Sequence, residues 1–114
     1  MFAFCGQMCY NGGMVSVTLR PRAGCRFYFE VNDGARVCGG GLGEDGFLFG
    51  GEGCPYKDLL LRTLVNKCMN DLCGPVYARA EWGEDLRPFG FREREDGVFV
   101  SSWEEMRLPS GCGH

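Results

Sequence analysis

Apolar and polar positions change period along this 114-residue chain, and the changes mark its elements. Residues 14–19 alternate apolar and polar, as do residues 25–31 around Phe27 and Phe29, which is the two-residue period of strands with one buried face. A turn at Asn32-Asp33-Gly34 leads into residues 35–38, and a second at Asp45-Gly46 leads into Phe47, Leu48 and Phe49, so this half reads as an antiparallel meander. From Leu60 the spacing becomes three and four. Leu60, Leu61, Leu64, Val65, Cys68, Met69 and Leu72 make an apolar stripe, with Arg62, Asn66, Lys67, Asn70 and Asp71 on the other side. Pro55 suits the first turn of this helix, and Gly74-Pro75 is its stop signal. Residues 76–82 alternate again, and strand, helix, strand implies a right-handed crossover with a parallel pair. A third turn, Asp96-Gly97, joins residues 91–95 to residues 98–103. The pattern predicts an α+β fold: a mixed, mostly antiparallel sheet with one long helix in a β-α-β crossover.

Composition narrows the class. A chain of this length with 45% hydrophobic residues is expected to be a single domain, residues 1–114, with one modest core and no disordered class. The net charge is -3 and the isoelectric point about 5.1, and no Lys/Arg cluster interleaves with aromatics along the sequence, which argues against a nucleic-acid partner. No apolar run approaches the roughly 20 residues that span a bilayer, and the first 13 residues lack the cationic and long apolar regions of a signal peptide. The expectation is a cytoplasmic protein with no membrane partner. The run Arg92-Glu93-Arg94-Glu95-Asp96 reads as a solvated, cross-paired strand and turn, and Trp82, Trp103, Phe2 and Phe4 read as packing or interface residues.

Cysteine is over-represented: Cys5, Cys9, Cys25, Cys38, Cys54, Cys68, Cys73 and Cys112. An even count fits disulfides, but a reducing compartment and the place of Cys68 on the apolar helix stripe favour free core thiols. Two sharper readings stand beside this one. Cys5 and Cys9 would make a zinc site with Cys112 and His114 if the termini met, although no C-x-x-C knuckle exists. Cys54, at the helix start, would be a reactive thiol whose pKa the helix dipole lowers, or else a packed cap residue.

Two glycine-rich stretches are candidate phosphate cradles. Gly41-Leu42-Gly43-Glu44-Asp45-Gly46 satisfies G-x-G-x-x-G, but a strand follows it where a dinucleotide site needs a helix, so it reads as a hairpin. The stretch Gly50-Gly51-Glu52-Gly53-Cys54-Pro55-Tyr56-Lys57 does run from a strand into a helix start. Amides near Gly53 and Cys54, together with the Lys57 ammonium, would meet an anion there, while a tight connecting loop needs the same glycines. Glu81, near the end of the second parallel strand, is a candidate general base, and Tyr77 on that strand is a further catalytic candidate.

The order of these elements, with Leu60-Leu61-Arg62 on the helix and Gly90-Phe91 before the last hairpin, resembles the GCN5-related N-acetyltransferases over roughly residues 15–108. In that family an Arg/Gln-x-x-Gly-x-Gly/Ala loop ahead of the helix gives its amides to the pyrophosphate of acetyl-coenzyme A (acetyl-CoA). Aligned on Leu60-Leu61-Arg62, this chain has Pro55 and Lys57 where the two small residues stand, and Leu86 where many members carry an acidic tyrosine four residues before Gly-Phe. The resemblance implies an acyl-CoA N-acyltransferase-like fold, with acetyl-CoA or another small-molecule thioester held by Gly51, Gly53, Cys54, Tyr56 and Lys57. It also implies direct attack by an amine and a chain that opens near the family's second strand and leaves the acceptor side uncovered; no metal is expected, because the spacing of the cysteines and of His114 is weak for a metal site. Two functions follow: an acyl-CoA-dependent N-acyltransferase, or a non-catalytic interaction or ligand-sensing module that covers its open side as a homodimer. A cysteine-based redox or zinc protein is the third.

Overall fold

A computed structural model describes the backbone of residues 5–10, 13–79, 82 and 86–109, and the side chains of residues 15–79, 82 and 86–109. Its eight strands are β1 (Cys5–Tyr10), β2 (Gly13–Leu19), β3 (Cys25–Asn32), β4 (Val37–Gly43), β5 (Phe47–Gly50), β6 (Val76–Ala78), β7 (Arg92–Glu93) and β8 (Phe99–Ser101). They form one sheet in the order β1-β2-β3-β4-β5-β6-β8-β7. Every neighbouring pair is antiparallel except β5 and β6, which run parallel and are joined through α1 (Lys57–Asn70). A tight turn cannot return a chain parallel to itself, so the helix supplies the crossover. The α+β class and the mostly antiparallel sheet are as the residue pattern predicts.

The three Asp-Gly turns form as expected, each held by its aspartate. Asp33 Oδ1 accepts the amides of Ala35 (2.9 Å) and Arg36 (2.7 Å), Asp45 Oδ1 accepts that of Phe47 (3.0 Å), and Asp96 Oδ1 that of Val98 (3.1 Å). Strand limits differ from expectation at several places, the last hairpin included, whose strands shrink to Arg92–Glu93 and Phe99–Ser101. β1 was not predicted, because Cys5-Gly6-Gln7-Met8-Cys9-Tyr10 neither alternates cleanly nor contains β-branched residues; its order comes from full pairing with β2. β4 starts at Val37 and continues through the glycines to Gly43. β6 stops at Ala78, since the Trp82 amide bonds to Arg79 O (3.1 Å) and the chain turns there.

One face of the sheet carries the core. Phe27, Leu42, Leu48, Ala78 and Phe99 stand in register across β3, β4, β5, β6 and β8, all buried, with Val15, Val17, Phe29 and Val31 extending the layer. Leu59, Leu60, Leu61, Leu64, Val65 and Cys68 of α1 close over it. Burying each such aliphatic side chain contributes about 1.5 to 3 kcal/mol.

Both helix ends depart from the predicted limits. Tyr56 is the N-cap, so Pro55 lies outside the helix. At the other end Leu72, expected on the buried stripe, is 62% exposed with φ 57. Its amide bonds to Met69 O (3.3 Å) and that of Cys73 to Cys68 O (2.9 Å), a paired closure that turns the backbone left-handed and swings the leucine into solvent.

Beyond β6, a 3-10 turn (Arg87–Phe89) ends at Gly90, with φ 95, where an added Cβ would meet Glu105 O. Ser101 Oγ donates to Gly90 O at 2.9 Å, and Phe91 is buried, so this pair anchors the last hairpin. The charged run that follows is exposed and cross-paired, Arg87 with Glu93 and Arg94 with Asp96, each at 2.6 Å. Trp82 is core, whereas Trp103 is 39% exposed; Phe2 and Phe4 lie outside the described residues.

Candidate functional site

The loop from β5 to α1 is the place where the sequence puts a ligand, and its backbone is built on glycine. Gly50, Gly51 and Gly53 all hold positive φ (103, 83 and 66), which lets the chain leave β5 and reverse into the helix within a few residues. Gly51 has a second constraint: a Cβ there would stand 2.9 Å from Cη2 of Trp82.

The loop is fastened to β4 and the β3–β4 turn by three bonds. Gly51 donates its amide to Gly39 O (3.2 Å). Cys54 is joined by a disulfide to Cys38, with Cα atoms 5.8 Å apart. The Tyr56 hydroxyl donates to Asp33 Oδ2 at 2.5 Å. That hydroxyl, with the amides of Ala35 and Arg36 behind it, holds the Asp33 carboxyl below the usual aspartate range. Within the loop the Cys54 amide bonds to Gly51 O at 3.1 Å.

These bonds correct the expectations for Cys54. Its amide closes a turn within the loop where an anion donor was expected, and its sulfur is neither a free core thiol nor a reactive one. The compartment argument for free thiols overlooked proximity, since the hairpin places Cys38 beside the loop at a span a disulfide bridges readily. Cys25, Cys68 and Cys73 are free, and burial first, then the neighbouring Cys73, pushes the Cys68 thiol well up.

A cavity of about 180 Å³ opens against Gly50, Gly51, Glu52, Gly53, Cys54 and Lys57. The Lys57 ammonium lies 5.8 Å from the centroid of the Trp82 ring, so Lys57 is near the loop as expected. Trp82 itself is 1% exposed, and its Nε1 has no hydrogen-bond partner among the described residues. Glu52, which also lines the cavity, is exposed and brings a negative charge to the place where an anion was expected.

Of the two catalytic candidates only Tyr77 lies among the described residues, and it stands away from this loop. Tyr77 pairs with Phe47 at the start of β5, some four residues or about 13 Å of strand from Gly51. Its ring rests 5.4 Å from that of Phe47, with the Arg94 guanidinium 5.6 Å from its centroid. Glu81 lies outside the described residues, and so do Cys112 and His114, while Cys5 and Cys9 have no described side chains. Leu86, which the resemblance set in place of an acidic tyrosine, is fully buried. Among the described residues no three His, Cys, Asp or Glu side chains converge on a metal position, and no helix is long and apolar enough to cross a membrane.

The fold also assembles something the linear order concealed. On the helix-free face Tyr28 stacks on Phe49 (6.1 Å) beneath Arg22, and Arg79 lies 4.5 Å from the Phe47 centroid beside the Tyr77–Arg94 pair. Aromatics and arginines therefore do interleave, though they come from segments far apart in sequence. The available signal was the two-residue spacing of Phe47 with Phe49 and of Tyr77 with Arg79, which puts each pair on one face. A cavity of about 460 Å³ opens on this face, with Phe47, Phe49, Arg79, Glu44 and Asp45 in its walls.

No protein-family profile, curated protein or solved structure matches this chain.

Proposed function

We propose that this chain is an acetyltransferase-like scaffold that serves as an interaction or ligand-sensing module and performs no acyl transfer. The observation that carries this reading is the state of the glycine loop. The Gly51 and Cys54 amides are donated to Gly39 and Gly51, the Cys54 sulfur is bonded to Cys38, and Pro55 has no amide to give. A pyrophosphate needs several amides converging from one loop and helix start. Here two of those amides hold the loop in shape. Support for the scaffold comes from the element order: a meander, one parallel pair around the helix, a short helical turn, then Gly90-Phe91 and a final hairpin.

An acyl-CoA-dependent N-acyltransferase is the second reading, and one observation favours it. Among the described residues β5 and β6 pair in parallel at Phe47↔Tyr77 and Leu48↔Ala78, and the cavity lined by Lys57 lies at the far end of β5, past that pairing, where a thioester arm would lie. Calorimetric titration of the oxidised protein with acetyl-CoA separates the two. No heat and no thermal stabilisation are expected. Saturable micromolar binding would replace the first reading with the second, and Lys57→Ala would then weaken binding most at low salt.

A further inference from the structure

We propose that the helix-free face of the sheet is the docking surface for a second copy of this chain. The inference goes beyond the reading of the loop and does not depend on whether a thioester binds there. Among the described residues α1 covers one face only. On the other, Tyr28, Phe47, Phe49 and Tyr77 are half-buried, and three exposed arginines, Arg22, Arg79 and Arg94, lie on their rings. Val100 continues the row in register from Phe47 and Tyr77. Rings with guanidiniums are the composition of interface centres, because both bring large rigid contact area at little entropic cost and guanidinium is weakly hydrated. Guanidinium N–H groups also take carboxylates in two-bond geometry; Arg94 already meets Asp96 of its own chain, so Arg22 and Arg79 are the arginines offered to a partner.

Charge selects the occupant. Arg79, Glu44 and Asp45 all line the 460 Å³ groove, so it carries both signs of charge. A two-fold axis through the groove sets each Arg79 against the partner copy's Glu44 and Asp45, so the surface is complementary to itself. A polyanion fits less well, since the same carboxylates rim the groove and the chain carries a net charge of -3. The aligned packing of two twisted sheets, face to face at about 10 Å, is the geometry such a pair adopts.

Sedimentation velocity over a concentration series tests this, with circular dichroism verifying that each variant is folded. The parent is expected to dimerise. Arg79→Glu and the double variant Glu44→Arg/Asp45→Arg should each weaken self-association at least tenfold, because positions 44, 45 and 79 then set like charges against one another across the contact. Mixed in equal amounts, these two variants should form a heterodimer, since every contact then joins opposite charges; that recovery requires pairing between chains and cannot arise from repair within one chain. A parent monomeric at hundreds of micromolar, a dimer indifferent to both variants, or weakened variants that do not associate on mixing would each overturn the proposal. Saturable binding of a labelled single-stranded oligonucleotide to a monomeric parent would overturn it in favour of a nucleobase-stacking surface.

Discussion

Beneath α1, Phe27, Leu42, Leu48, Ala78 and Phe99 stand in register and are withdrawn from water, whereas on the opposite face of the same strands Tyr28, Phe47, Phe49 and Tyr77 keep part of their surface exposed under arginines. The strands supply both sets, because successive side chains point to opposite faces. What differs is the cover. A helix removes aliphatic surface from water permanently and rewards tight packing. An arginine shields a ring with a polar group that a partner can displace or use. The helix-covered face is therefore where stability resides, and the arginine-covered face is where a function that needs contact has room to act.

The comparison fails if the faces respond alike to truncation. Leu64→Ala, beneath the sheet's core layer, should destabilise by roughly 2 to 5 kcal/mol in urea unfolding, while Phe49→Ala should cost clearly less and Asn66→Ala almost nothing. Equal costs for Leu64 and Phe49 would reject the distinction. The Cys38–Cys54 bridge fastens the loop at the rim of the covered face and closes a segment with a sequence separation of 16, for which chain-entropy arguments give about 3 kcal/mol. Unfolding midpoints with and without reductant measure it, and identical midpoints would make the link energetically idle.

Tyr56→Phe removes the hydroxyl from Asp33 and sharpens the comparison through pH. A carboxyl held below its usual range stabilises the fold at neutral pH, and that stability is lost as acid protonates it. The parent should thus melt higher than Tyr56→Phe at neutral pH, with the difference shrinking as pH falls through the low aspartate range. A gap that widens in acid would contradict the assignment. The smallest effect expected is a gain: Leu72→Gly relieves a left-handed leucine at the helix end and should add about 0.5 to 1 kcal/mol. A loss there would mean that exposed Leu72 makes contacts that matter.

How far these features were legible follows from their range along the chain. The helix and the three Asp-Gly turns rest on neighbours within a few residues, so Leu60 to Cys68 and Asp33, Asp45 and Asp96 announce themselves. Leu72 did not, because the stripe's period runs on while the backbone closure at Cys68 to Cys73 ends the helix first. β1 was invisible for a related reason, its order being supplied by β2 and not by its own residues. For the loop, glycine positions were readable, but the destinations of the Gly51 and Cys54 amides and the partner of the Cys54 sulfur depend on β4 folding alongside. The arginine-covered rings were hidden most deeply, since Arg22, Tyr28 and Phe49 meet only across β3, β4 and β5, while Arg79 and Arg94 reach the Phe47 and Tyr77 rings only once β5, β6, β8 and β7 align.

The most direct test of the central claim is an amide-resolved NMR titration of oxidised, isotope-labelled protein with acetyl-CoA. The account predicts that the Gly51, Gly53, Cys54 and Lys57 amides keep their positions up to millimolar ligand, with Gly51 and Cys54 protected from exchange. Saturable shifts confined to those four residues would contradict it, because the loop would then be giving its amides to an anion.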